Sequence, residues 1–157
     1  MKIWVIDFEE SLKNYIPYHE SLKKINSEKS KFSDKVEEIK SEMQQIINTS
    51  QSLLLDEKTK QNSIERFNVL QQEAIKLEQN FRNDIVELQN KELEQNFNSL
   101  SEVLEEWISE QDVDIVLNKN QVLWTKKTFD TTSNFIEKLK EKELFDEYNE
   151  EKLFAID

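Results

Sequence analysis

Between residues 22 and 53 the side chains recur alternately three and four positions apart: Leu22, Ile25, Lys29, Phe32, Val36, Ile39, Met43, Ile46, Ser50 and Leu53, eight of the ten apolar. Such spacing keeps one narrow seam on one side of a helix and predicts a long amphipathic helix. The polar run Asn48 to Ser52, and then Asp56-Glu57, break the pattern, so the chain can reverse there. A second periodic run passes through Ile64, Phe67, Leu70, Ala74, Leu77, Phe81, Ile85 and Leu88 and leads on to Leu93, Phe97, Leu100, Leu104 and Trp107. Its step from Phe81 to Ile85 breaks strict heptad spacing, a stutter that locally unwinds a left-handed supercoil and predicts a fairly straight arm. Two long helices joined by a short turn pair antiparallel most simply. Leu22 is then expected near Leu88 and Phe32 near Leu77 or Glu78, and about 35 residues give an arm on the order of 50 Å long.

The two ends carry other patterns. Ile3-Trp4-Val5-Ile6, closed by Asp7, reads as a strand too short to stand alone. After Asp112, Val113 and Ile115 to Leu117, the polar Asn118-Lys119-Asn120, and Val122 to Trp124 read as a β-hairpin, with asparagine supplying the turn. A helix capped by Asp130 or Thr131 is expected to bury Phe135, Ile136 and Leu139, and residues 143–157 read as a flexible acidic tail. The expected fold is mainly α with a small β base (α+β). Residues 1–17 and 94–142 form the base, 18–93 a long antiparallel helical-hairpin arm, and 143–157 the tail.

Composition agrees with a thin shape. The chain holds 36% hydrophobic against 34% charged residues, and a two-helix arm has only a seam to bury. Glycine is absent and proline occurs once, at Pro17, so long helices can run with few interruptions. The absence of cysteine excludes disulfides and thiolate metal sites, and the absence of glycine excludes a phosphate-binding loop. No apolar run is long enough for a signal-peptide core or a membrane span. The formal charge of −12 argues against nucleic acid and anionic lipid as partners. Residues 18–50 hold six acids and six bases, whereas 57–111 hold twelve acids against six bases. These carboxylates read as solvated helix faces rather than a catalytic pair, and His19, the single histidine, has no spaced partner for a metal. The expectation is a protein that is not an enzyme and has no cofactor.

The order of short strand, long helical hairpin, β-hairpin and terminal helix resembles the Skp/OmpH family of periplasmic chaperones. The resemblance rests on Lys2-Ile3-Trp4-Val5-Ile6-Asp7-Phe8 at the start. It rests more specifically on Asp114-Ile115-Val116-Leu117-Asn118-Lys119-Asn120-Gln121-Val122-Leu123-Trp124 with Phe129-Asp130-Thr131-Thr132 after it. It implies a homotrimer whose bases join through their small sheets and whose arms enclose a cavity for unfolded outer-membrane proteins. The function so implied is that of an ATP-independent holdase in the periplasm, its leader taken to be absent from this sequence. The departure is in charge: the well-known members are basic, whereas this arm is balanced on one helix and acidic on the other, so lipopolysaccharide or membrane contact is not carried over. The alternatives are a structural coiled-coil spacer or docking protein that binds a folded partner through the arm tip, and a cytoplasmic helical-hairpin chaperone like prefoldin.

The residues point independently to assembly, because three short strands and one helix bury large side chains poorly and leave sheet edges open. The expected base interface is Ile3, Trp4, Val5, Ile115, Leu117, Val122 and Trp124. Trp4, Trp107 and Trp124 are read as core or interface residues rather than ligand-stacking groups. Surplus apolar residues mark expected client contacts: Leu53, Leu54 and Leu55 at the arm tip, and Ile75 and Val86, eleven apart on a face outside the seam.

Overall fold

The computed structural model describes residues 1–52 and 54–154, and for 152–154 the helical backbone. The elements are β1 (Ile3–Ile6), α1 (Phe8–Lys13), α2 (Ile16–Ser50), α3 (Glu57–Ser109), β2 (Ile115–Asn118) and α4 (Thr132–Phe154). The chain forms two compact units, Met1–Leu22 with Lys91–Asp157, and Lys23–Asn90.

In the first unit, the β-branched and aromatic run Ile3–Ile6 pairs in parallel with β2, with Ile3 opposite Ile115 and Ile6 opposite Asn118. Asp7 ends the strand and caps α1 by accepting from the Glu10 amide at 3.1 Å. On the other side of β1, Thr131 donates its amide to the Val5 carbonyl at 3.0 Å, just ahead of α4. These elements enclose a core of Ile6, Tyr15, Leu100, Val103, Leu104, Phe135 and Leu139. The Trp107 ring extends it by stacking on Phe135 at 5.8 Å and meeting Trp4 at 4.6 Å.

Two expectations are corrected here. The β-hairpin does not form: β1 is the strand that pairs with β2, Lys119–Gln121 makes a 3-10 turn, and Val122 to Trp124 leave the sheet. The backbone gives the reason. A tight hairpin turn needs positive φ at its central residues, no described residue adopts it, and Asn118 has φ −75°. The acidic segment from residue 143, expected as a tail, is instead helical and continues α4 to Phe154. Its root is tied down: Lys142 donates to Glu106 at 2.8 Å, and Glu143 accepts from the Ile16 amide at 3.1 Å. The Lys142 hydrogen bond keeps the Glu106 carboxyl below its ordinary pKa and raises that of the lysine.

The second unit is an antiparallel helical hairpin. Asp56 starts α3 by accepting from the Thr59 amide at 2.7 Å, and hydrogen bonding from the Thr59 side chain, then from its amide, lowers the pKa of Asp56. No described helix is long and apolar enough to cross a membrane.

Candidate functional site

In the hairpin unit, Phe32 of α2 lies flat on Phe81 of α3, with centroids 3.9 Å apart and planes 6° from parallel. The ring partner of Phe32 is therefore about one helical turn beyond the expected Leu77 or Glu78. Leu77 still lines the same groove of about 370 Å³, whose apolar floor also includes Ile85 and Leu88 and whose rim includes Lys31 and Lys35. Nearer the tip, Arg66 grips Glu42 through two bonds of 2.8 and 3.2 Å, which raises the arginine pKa further.

The seam turns Phe67, Leu70, Ala74, Leu77, Phe81, Ile85 and Leu88 inward, with Leu70 fully covered. Outside it stand Ile64, Ile75 and Val86, with 55%, 46% and 53% of their surface exposed. Eleven residues make close to three turns, so each step returns to nearly the same bearing and climbs roughly 16 Å. The three side chains thus form a straight apolar row along α3. The spacing of Ile75 and Val86 marked them in the sequence. Ile64 was assigned to the seam, and the structure moves it to the row. At the tip Leu54 is 95% exposed and Leu55 half-buried; Leu53 lies outside the described residues.

In the base unit the seven expected interface residues divide. Trp4 and Val5 are buried in this chain's own core, and Ile3 is half-buried. Val116 faces that core, so its neighbours Ile115 and Leu117 point outward, both more than a third exposed. Val122 is half-buried and Trp124 is 77% exposed. Leu123, which the sequence did not single out, is completely exposed. Among the described residues the far edge of β2 carries no strand.

A polar knot lies nearby. The Ser21 hydroxyl donates to Glu92 at 2.7 Å and accepts from the Asn96 amide nitrogen at 2.9 Å, all three residues being buried. This corrects the expected seam, which passed from Leu88 to Leu93 and Phe97. The buried face of α3 instead continues through Glu92, Asn96 and Leu100, while Leu93 and Phe97 are half-exposed, the Phe97 ring lying 5.8 Å from that of Phe8. A helix of 3.6 residues per turn keeps its inward bearing whatever residue falls there, and Ser21 makes the polar residues tolerable.

Among the described residues no three metal-type ligands converge, and the His19 ring contacts the Lys13 carbonyl. What the surfaces offer is apolar contact: a row on α3, a leucine tip, and an exposed Leu123-Trp124 pair beside an open strand edge.

The sequence matches the family model for outer membrane protein (OmpH-like) over residues 2–139. No curated protein matches it. Among solved structures, the chain is similar to one from Caulobacter crescentus CB15 described as an OmpH-like outer membrane chaperone. That similarity has a TM-score of 0.77 at 7% identity and covers 89% of this chain and 84% of that one. At such low identity the likeness speaks for the fold, which is the helical hairpin with a small sheet described above. The family match extends across both units and stops at Leu139, where the buried face of α4 ends, and on that match the chain belongs to the OmpH-like outer membrane protein family.

Proposed function

We propose that this chain is an ATP-independent holdase chaperone. As a homotrimer joined through its base, it binds unfolded outer-membrane-type proteins in the periplasm and keeps them from aggregating. The observation that carries the reading is the exposed row Ile64, Ile75 and Val86 on α3. Each of these side chains buries at most about 1.5–3 kcal/mol of apolar surface against a client. Such contacts are non-directional and so tolerate many client sequences, and several together retain a chain that any one would release. With no glycine to build a phosphate loop, binding and release run on these equilibria alone. The family and the fold likeness support the client class, and the open edge of β2 with the exposed Leu123-Trp124 pair supports assembly. The charge of −12 keeps lipopolysaccharide and membrane surfaces outside the reading.

The test is the triple variant Ile64→Ser, Ile75→Ser and Val86→Ser in the full chain, assayed by light scattering on several unrelated unfolded β-barrel proteins. Suppression of aggregation should fall several-fold while the oligomer mass stays that of three chains. Undiminished suppression would sink the role of the row, and a stable monomer at micromolar concentration would sink the trimer. Failure of the parent chain to protect any of these proteins, with saturable binding to one folded protein, would favour the spacer.

A further inference from the structure

We propose that the outer face of α4 beyond Leu139 docks onto the lysine-bearing loop of a second copy of this chain, residues 119–129, and so ties neighbouring subunits together. The proposal rests on the homotrimer reading and adds to it a contact made by a segment outside the part shared with the family model.

The first surface follows from helix geometry. The inner face of α4 carries Phe135 and Leu139, both fully buried, and then Lys142, bonded to Glu106. At about 100° per residue, Leu144 and Tyr148 stand on the opposite side of the helix. They are 67% and 58% exposed, and Phe145 at their shoulder is 63% exposed. Glu147 and Glu151 fall on the same outer arc, in a segment, residues 141–157, of seven acids against two lysines. An apolar strip bordered by carboxylates therefore points away from its own core.

The second surface has the opposite sign. In a chain of net charge −12, residues 115–129 hold three lysines and no acid. Lys119 already pairs with Asp130 at 3.3 Å, while Lys126 and Lys127 are exposed beside Leu123 and Trp124. Each patch combines large apolar side chains with one sign of charge, and the signs are complementary. Within one chain both patches stand exposed, Leu144 and Phe145 on one and Leu123 and Trp124 on the other. A two-fold axis through the α4 face itself would set acid against acid. Two different complementary patches on one chain can also meet head to tail, and head-to-tail contacts close into rings when the rotation permits, which is the arrangement a trimer requires.

The lack of cysteine makes the test clean. Two differently tagged full-length copies are mixed and oxidised, one carrying Tyr148→Cys and the other Leu123→Cys. A disulfide should form between unlike copies, and hardly at all between like ones. An intact trimer without the mixed disulfide overturns the docking and leaves the trimer reading standing, whereas a monomer overturns both. Capture of Tyr148→Cys by an unfolded client in place of the partner copy assigns the face to clients and also overturns the docking. In a second measurement, Lys126→Glu with Lys127→Glu should raise the subunit dissociation constant about tenfold at low salt. Glu147→Lys with Glu151→Lys in the same chain should restore it; no restoration overturns the charge pairing.

Discussion

Ser21 holds Glu92 and Asn96 at once, its single hydroxyl donating to the first at 2.7 Å and accepting from the second at 2.9 Å. Coiled-coil seams place such polar groups where register matters more than raw stability. Removing the hydroxyl with Ser21→Ala should cost about 1–3 kcal/mol, since two buried polar groups lose a partner together. Replacing all three, with Glu92→Leu and Asn96→Leu added, should recover or exceed the parent stability while loosening the alignment of α2 on α3. Thermal melts read the first effect, and cysteine cross-linking between the two helices at neighbouring registers reads the second. A single, unchanged register in the apolar triple variant would show that the knot does not set alignment.

Asp130 makes a pH-dependent clasp between the loop and α4. Its carboxylate accepts from the Thr132 hydroxyl at 2.6 Å and the Thr132 amide at 3.0 Å, and from Lys119 at 3.3 Å. These bonds, the Thr132 hydroxyl foremost, hold its pKa below the ordinary aspartate value. The sign follows: a depressed folded pKa gives stability that is complete above the unfolded value of about 3.9 and is lost as pH falls through the folded one. Asp130→Asn should therefore lower stability at neutral pH and flatten its fall in acid. Parallel acid-denaturation curves for the variant and the parent would contradict this.

The neighbouring Thr131 offers the opposite outcome. Its hydroxyl is buried without a partner, whereas its carbonyl accepts the Phe135 amide and its amide bonds to Val5. Thr131→Val keeps the shape and removes an unpaired polar group, so stability should stay level or rise by about 1 kcal/mol. Chemical denaturation measures it, and a loss of that size would mean that the hydroxyl has a partner in solution.

At the hairpin tip, Leu54→Ser with Leu55→Ser should weaken suppression of client aggregation without altering assembly. Leu54 is almost wholly exposed, so folding gains little from it. Unaltered suppression would confine client contact to the row on α3.

Much of the hairpin was legible in the sequence because apolar residues mark the seam, from Ile25 to Ile46 on α2 and from Phe67 to Leu88 on α3. Reading by apolar period failed where the seam turns polar. Glu92 and Asn96 are invisible to it, and Leu93 and Phe97 attract it although each stays half-exposed. Ile64 fits the seam spacing as well as the outer row, and only packing decides between them. In the base, Val122 to Trp124 look like a strand, but the partner that β2 takes is β1, and no local signal announces a pairing so distant. Residues 143–154 continue α4 as helix, and the contacts at the root of this stretch, Lys142 with Glu106 and Glu143 with the Ile16 amide, are ones that local composition does not reveal. For the candidate surfaces, Ile75, Val86 and Leu54 were legible as surplus apolar residues, whereas Leu123 was masked by the strand reading.

The parallel pairing of Ile3 with Ile115 also dictates an order of events. During synthesis the first strand emerges early and has no mate until residues 115–118 have been made, almost three quarters of the chain later. Closing so long a loop unaided carries a large entropic penalty, whereas the helical hairpin forms from contacts much nearer in sequence and shortens the effective loop. The sheet is then the last element to set, and a nascent or partly melted chain exposes Trp4 and Val5 before anything else. Pulse-labelled hydrogen exchange should find amides in 23–90 protected ahead of those in Ile3–Ile6. On this account the chain passes through its own most vulnerable moment while its first strand waits unpaired.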